Sequence, residues 1–311
     1  MIFSRKLDCI SFGSATIDIF MLSKGFKVIP HNKQDILCAS HGEKIDIQTR
    51  VITSGGGGTN VASGMAKLGL KTAVCSRIGQ DFLGKHLLKL LKKERVNTSR
   101  IQARKTDETD QSVILVDPDG GRTILVYRGK TSLKHTDINW KSLSAKWFYI
   151  CSLEGNFDLA EKLFTYASKK NIKVAWNPGK RELKNSNKVQ ELLKMTSFLL
   201  LNEEEAKFLF KKDRLPEEEL LHTHVPIIAI TQGKRGAMVF YGNKKIHKDI
   251  VKVKTLEETG AGDAFGSAFV AGLVKNKPIE ECLDWGLTNS ASVVSKIGAK
   301  EGQLSLMKIK R

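Results

Sequence analysis

Glu257-Glu258-Thr259-Gly260-Ala261-Gly262-Asp263 runs directly into an apolar, helix-like stretch at 264–274. Small residues leave the amides of Gly260, Ala261 and Gly262 uncovered at the positive end of that helix. Its first N–H groups lack intrahelical partners, and the peptide dipoles sum there. Asp263, in the first turn, sets a carboxylate beside this anion seat. The pattern suits a phosphoryl group held next to a base. The plainer alternative is a glycine-rich turn with Asp263 as a helix cap.

A second glycine cluster, Ser54-Gly55-Gly56-Gly57-Gly58-Thr59-Asn60, precedes another helix-like run at 60–68. Without side chains at Gly55, Gly56 and Gly57 the backbone can approach a ligand closely, and Asn60 can both donate and accept hydrogen bonds to hydroxyls. A dinucleotide fingerprint fails here, because the last position of G-x-G-x-x-G falls on Asn60 or Val61. Gly79-Gln80-Asp81-Phe82-Leu83-Gly84-Lys85 spells most of a P-loop, yet His86 stands where the Mg²⁺-binding Ser or Thr belongs. The run 83–91 reads instead as an ordinary amphipathic helix.

The 311 residues are 41% apolar, enough for a large core, and no apolar run reaches the length of a membrane span. Residues 1–6 carry no apolar leader core, so the expected compartment is the cytoplasm. Five singly placed cysteines give no CxxC spacing, and His222 and His224 lack a third ligand nearby. The excess of 51 Lys and Arg over 33 Asp and Glu gives a net charge of +18. It is spread thinly and never interleaved with aromatics, which argues against specific nucleic-acid binding and suits phosphorylated small molecules.

From residue 147 onward strands and helices alternate: strands at 147–151, 172–176, 197–201 and 226–231, helices at 157–169, 188–194 and 203–210, a hairpin near Gly242, then helices after Gly262 and from Ile279. Alternation of this kind predicts a parallel sheet covered by helices. Residues 8–13 and 72–78 supply further strands. Two strand-rich insertions, about 16–53 and 106–131, have no helices of their own. The second contains the hairpin signature Asp117-Pro118-Asp119-Gly120-Gly121. Paired as a small sheet, they would form a lid that excludes water from a transferred group.

With both glycine segments in view, the chain resembles the PfkB, or ribokinase-like, family of carbohydrate and nucleoside kinases. The likeness rests on 55–60 leading into Ala66-Lys67-Leu68-Gly69, and on 259–265. Gly13-Ser14, Asp18, Ile78-Gly79-Gln80-Asp81-Phe82-Leu83-Gly84, Leu153-Glu154, Asn177-Pro178, Asn202-Glu203-Glu204-Glu205 and Thr231-Gln232-Gly233-Lys234-Arg235-Gly236 add to it. It implies an α/β fold, a three-layer α/β/α sandwich with a mostly parallel sheet and a small β-sheet lid, as one kinase domain over 1–311. It further implies transfer of the γ-phosphoryl group of ATP to a primary hydroxyl. Asp263 would be the base and the amides of 260–262 the anion hole. Asp18, Gly55, Gly56, Gly57, Asn60 and Glu154 would hold a sugar. Asn202, Thr231, Gly233, Gly236 and Asn289 would line the nucleotide. Glu205 would reach Mg²⁺ through water, and homodimers would pair through the lid strands.

Three departures stand out. Glu257-Glu258-Thr259 replaces the Asp-Thr-Thr of members activated by monovalent cations, which leaves both a K⁺ site at Glu257 and its absence open. Thr16 stands where ribokinases tend to have Asn, and Gly57 where they have Lys, so ribose is not implied as the acceptor. A nucleoside kinase of the same family and a non-catalytic sugar- or nucleotide-binding regulator are the alternatives.

Overall fold

The computed structural model describes residues 6–32 and 34–310. The leader reading therefore falls almost wholly outside the described residues. The strands, in chain order, are β1 Leu7–Phe12, β2 Thr16–Leu22, β3 Lys27–His31, β4 Gln34–Cys38, β5 Thr49–Gly55, β6 Thr72–Gly79, β7 Asn97–Arg104, β8 Gln111–Val116, β9 Arg122–Tyr127, β10 Ala145–Ile150, β11 Lys173–Trp176, β12 Phe198–Asn202, β13 Ile227–Thr231, β14 Ala237–Tyr241 and β15 Lys244–Lys248. Nine form one sheet in the order β15-β14-β13-β12-β11-β10-β1-β6-β7, parallel from β13 to β7 and closed at the other edge by the antiparallel β14–β15 hairpin.

Parallel strands need crossovers, and the helices that make them must cover both faces of the sheet. Its strands are accordingly apolar on both sides: Phe148 and Ile150 of β10 point into one core, Trp147 and Tyr149 into the other. The first core takes the amphipathic helices Phe157–Lys169, Ser186–Leu193 and Glu203–Phe210. The second takes Gly57–Lys67, Ala261–Val274 and Ile279–Val294. Helix Ala261–Val274 is buried without a break from Ala264 to Gly272, so it is apolar all round and lies inside the molecule. Three layers result, as the alternation predicts.

The insertions form a second sheet of order β5-β2-β8-β9. β2 runs antiparallel to β5 and parallel to β8, an arrangement that draws strands from both insertions into one layer. Phe20, Ile114 and Val116 on its inner face pack on Ala299 and Ile297. Residues 27–38, expected within this sheet, form their own two-stranded hairpin β3–β4. Every residue of β9 is exposed.

One local feature settles an ambiguity in the sequence. At the P-loop look-alike, Asp81 caps helix Phe82–Lys93 by accepting the Gly84 N–H at 2.7 Å and also takes the Thr109 hydroxyl at 2.7 Å. The glycines there pack a helix start and leave no room for phosphate. No cluster of three His, Cys, Asp or Glu able to hold a metal occurs among the described residues, His222 and His224 included. No described helix is long and apolar enough to cross a membrane.

Candidate active site

The parallel strands β1, β10, β11, β12 and β13 bring their C-terminal ends to one edge, where open α/β sheets collect ligands. Gly13, Cys151, Asn177, Asn202 and Thr231 are the residues at or just past those ends. Two helix N-termini meet over this edge, those of Gly57–Lys67 and Ala261–Val274.

Asp263 lies at the meeting point. Its Oδ2 accepts the Asn60 Nδ2–H at 2.8 Å, which ties the first turns of the two helices together. A Cβ added to Gly57 would stand 3.6 Å from Asp263 Oδ1, so the glycine keeps that oxygen approachable. Asn60 is 3% exposed, and its Oδ1 is buried with no donor. Burial pushes the Asp263 carboxyl above its ordinary value; the Asn60 N–H draws it back and the charge of Asp18 pushes it up again. A carboxylate raised in this way is a better proton acceptor than one in water.

Gly260 caps the second helix in the left-handed region at φ 80, and a Cβ there would strike the Ala299 carbonyl. Only glycine meets both conditions. The Ala261 N–H donates to the Glu258 carbonyl at 3.3 Å, whereas the Gly260 and Gly262 N–H groups have no acceptor among the described residues. Gly262 faces open space. The uncovered amides are thus those of Gly260 and Gly262, with Ala261 partly engaged by its own turn.

β2 and β5 build the wall next to the glycine loop. Asp18 is 5% exposed and accepts the Thr16 hydroxyl at 2.8 Å. Gly55 faces it, and a Cβ at that position would land on the Asp18 carboxylate. Burial raises the Asp18 carboxyl, while the Thr16 and Ser112 hydroxyls and the Lys300 charge lower it. Gly56 caps the first helix and Gly57 begins it.

The sequence reading missed Lys300. Its side chain is 1% exposed, and its ammonium bonds to Ser54 Oγ, to Ser63 Oγ at 3.2 Å and to Glu94 Oε2 at 2.7 Å. A buried charge therefore sits directly under the glycine loop, held by partners more than 200 residues away. No local pattern signals it.

A cleft of about 1070 Å³ opens farther along the same edge, lined by Asn202, Glu205, Thr231 and Gly233. Asn202 and Thr231 are register partners on β12 and β13. Lys180, Lys184, Lys207, Lys211, Lys212 and Arg235 line the cleft beside Glu203, Glu204 and Asp213, with Lys207 and Arg235 paired to Glu203, so its wall is net basic and suited to phosphates. Gly236 does not line the cleft; it turns the chain at φ 86, its N–H donating to the Gly233 carbonyl at 3.1 Å.

Asn289, expected beside the nucleotide, does not line the cleft. It is fully buried, donates to the Ala264 carbonyl at 2.8 Å and accepts the Leu304 N–H at 2.8 Å. Its amide joins three segments of scaffold.

The fit to metal ions is uneven. Asn202 and Glu205 form a reciprocal capping box, Asn202 N–H to Glu205 Oε2 at 2.9 Å and Glu205 N–H to Asn202 Oδ1 at 2.8 Å. One Glu205 oxygen stays uncommitted on the cleft wall, enough for a hydrated Mg²⁺ that arrives on phosphates but not for a protein-made cage. Glu257 is wholly buried; its Oε1 accepts the Thr259 N–H at 2.6 Å and lies 3.3 Å from Arg122 Nε. Glu257 Oε2 and Thr259 Oγ1 are both buried without partners. Two orphaned oxygens on one loop fit a monovalent cation.

Residues 6–305 match the family model described as pfkB family carbohydrate kinase. An uncharacterized sugar kinase of Archaeoglobus fulgidus is 30% identical over 77% of this chain and 97% of its own. A ribokinase of Staphylococcus aureus is 27% identical over 94% of each. Among solved structures, adenosine kinase from Sinorhizobium meliloti superposes with a TM-score of 0.82 at 21% identity, covering 98% of this chain and 99% of the other. With the family model matched over residues 6–305 and a relative 30% identical over 77% of the chain, the chain belongs to the pfkB family of carbohydrate kinases, ATP-dependent phosphotransferases.

Proposed function

We propose that this enzyme moves the γ-phosphoryl group of ATP to a primary hydroxyl of a sugar or sugar derivative, with Asp263 as the base. The observation that carries the reading is the Asn60–Asp263 pair. Asn60 holds one Asp263 oxygen and leaves the other free at the start of the helix. The reactive hydroxyl of the acceptor donates to that free oxygen, Asp263 Oδ1.

As the acceptor oxygen bonds to the γ-phosphorus, its proton passes to Asp263. The bond from that phosphorus to the β,γ-bridging oxygen breaks and ADP leaves. Charge on the equatorial oxygens is met by the Gly260 and Gly262 amides and the dipole of helix Ala261–Val274, fixed before reaction and therefore free of reorganisation cost. Asp18, backed by Lys300, orients the acceptor's other hydroxyls. The cleft at Asn202, Thr231 and Gly233 takes the nucleotide. Mg²⁺, held through water by Glu205, would neutralise phosphate charge. K⁺ would be held by Glu257 and Thr259.

The β5-β2-β8-β9 sheet acts as the lid of one catalytic domain spanning the chain. Arg122, at the start of β9, reaches Glu257 and lies 3.8 Å from Glu258, so the lid touches the anion-hole loop directly. The chamber beside the glycine loop is lined mainly by hydroxyls and charges, with Leu133 and Leu153 as its apolar side chains and no aromatic ring, which supports a sugar over a nucleoside. β9, open along its outer edge, is the proposed homodimer contact. The test is acceptor-dependent ADP release across sugars and nucleosides: release with a nucleoside and with no sugar would turn the assignment to the alternative.

A further inference from the structure

A second cavity of about 80 Å³ lies against the glycine loop, between the lid and the β10 end of the main sheet. The inference drawn from it rests on the acceptor-site reading above: Gly13 and Ser14, which line the cavity, are the residues that a Cβ on Gly58 or Gly56 would strike. A Cβ on Gly57 would be 3.3 Å from Cys151 Sγ and 3.6 Å from Asp263 Oδ1, and Ser152, the next residue after Cys151, lines the cavity. A sugar with its reactive hydroxyl at Asp263 would direct its remote end here.

Charge dominates this end. Arg128, following β9, and Arg181, in the short helix Lys180–Leu183, approach one carboxylate from two elements: Arg128 Nη2 lies 3.2 Å from Glu154 Oε1 and Arg181 Nη1 lies 2.9 Å from Glu154 Oε2. Glu154 holds a left-handed backbone at φ 60. Such a conformation is sparsely populated by non-glycine residues and recurs at ligand clamps. Asp110, the other acid, is committed internally, accepting the Gly129 N–H at 2.9 Å and the Thr131 hydroxyl at 2.6 Å. Each guanidinium carries about five N–H donors in a fork matched to carboxylate or phosphate. Each spends one on Glu154, and Arg128 has a further, longer approach of 3.8 Å to Asp110. The place where two such forks converge is an anion seat, filled here by the protein's own side chain.

We infer that the acceptor carries an anionic group, carboxylate or phosphoryl, at the end remote from its reacting hydroxyl, and that Arg128 and Arg181 bind it in place of, or beside, Glu154. A neutral polyol would leave most of these donors to water. Acceptors of the class are sugar acids and sugar phosphates that keep a primary hydroxyl free.

The test pairs binding with turnover on the full chain. Melting-temperature titrations would use D-ribose and D-fructose as neutral probes, D-gluconate and 2-dehydro-3-deoxy-D-gluconate as carboxylates, and α-D-ribose 1-phosphate and D-fructose 6-phosphate as phosphates. They would be run on wild type, Arg128→Gln and Arg181→Gln. These arginines are 46% and 62% exposed, so the variants should fold. At least one anionic probe should bind about tenfold or more tightly than its neutral counterpart, and either variant should lose about tenfold or more for that probe alone. The arm that responds separates carboxylate from phosphate. Equal binding of neutral and anionic probes, a preference that survives both substitutions, or no binding by any anionic probe overturns the inference. ADP release is scored separately. Anion binding with no release from any probe counts against the kinase assignment and leaves the anion seat standing, whereas release with neutral sugars alone does the reverse.

Discussion

As the proposed base, Asp263 would do two conflicting jobs, and the conflict is measurable. Burial raises its carboxyl, so the folded chain holds that proton more tightly than the unfolded chain. The associated stability is complete below the ordinary Asp range and is lost as pH rises through the raised value. At neutral pH the ionised side chain is therefore a cost carried for reactivity. Asp263→Asn keeps an oxygen to accept the Asn60 N–H without the charge. Its melting temperature should exceed that of wild type at neutral pH, by about 2–4 °C, and the gain should shrink as pH approaches the ordinary Asp range. A lower melting temperature at neutral pH would show that the carboxylate stabilises the fold. The acid limb of the rate profile should lie above the pH at which an exposed Asp titrates. Lys300 makes the opposite case. Lys300→Met leaves Glu94 facing the Ser63 hydroxyl with no cation, and breaking a buried pair of this kind costs about 3 kcal/mol. Denaturant unfolding would measure it, and a change within experimental error would show the network to be dispensable. Asp263, Asn60 and Asp18 could be read from sequence because each belongs to a glycine segment or to its neighbouring strand. Lys300 could not, since what makes it notable is burial against residues distant in the chain.

At the scale of elements, periodicity located the strands and helices that build the layers and missed those whose residues do not alternate. β7 has no such signal: Asn97-Thr98-Ser99-Arg100-Ile101-Gln102-Ala103-Arg104 is a polar edge strand, placed by its pairing with β6. The β3–β4 hairpin was grouped with the lid because nothing in an apolar stretch tells which sheet it joins. The contact between the small sheet and the loop before helix Ala261–Val274 was equally hidden. It depends on Arg122 meeting Glu257, and on Gly120, where a Cβ would come within 2.8 Å of the Leu256 carbonyl. The first ties the β8–β9 hairpin to the segment that leads into the proposed anion hole, and the second lets the two backbones approach. Arg122→Ala should slow phosphoryl transfer about ten- to hundredfold, as small misplacements in pre-organised sites do, with little change in nucleotide affinity. Steady-state kinetics would check this, and an unaltered kcat would mean that the loop holds its shape without the lid.

For the whole molecule, composition excluded more than it assigned. The net charge of +18 gave no partner by itself; in the fold, part of it gathers as lysines and arginine around the proposed nucleotide cleft. The small sheet also presents Ile124, Leu125, Val126 and Tyr127, 41% to 54% exposed, along an edge strand whose every residue is exposed. Isolated chains rarely leave such an edge uncovered. Leu125→Lys combined with Val126→Glu should convert a dimer to a monomer in light scattering after gel filtration. A wild-type monomer would remove the lid as an interface.

The central claim is that the carboxylate at the start of helix Ala261–Val274 is the base for phosphoryl transfer. The direct measurement is acceptor-dependent ADP release by wild type and by Asp263→Asn, with far-ultraviolet circular dichroism and melting on the same samples. Release should fall about a thousandfold in a fully folded variant. Turnover within a few-fold of wild type would contradict the account.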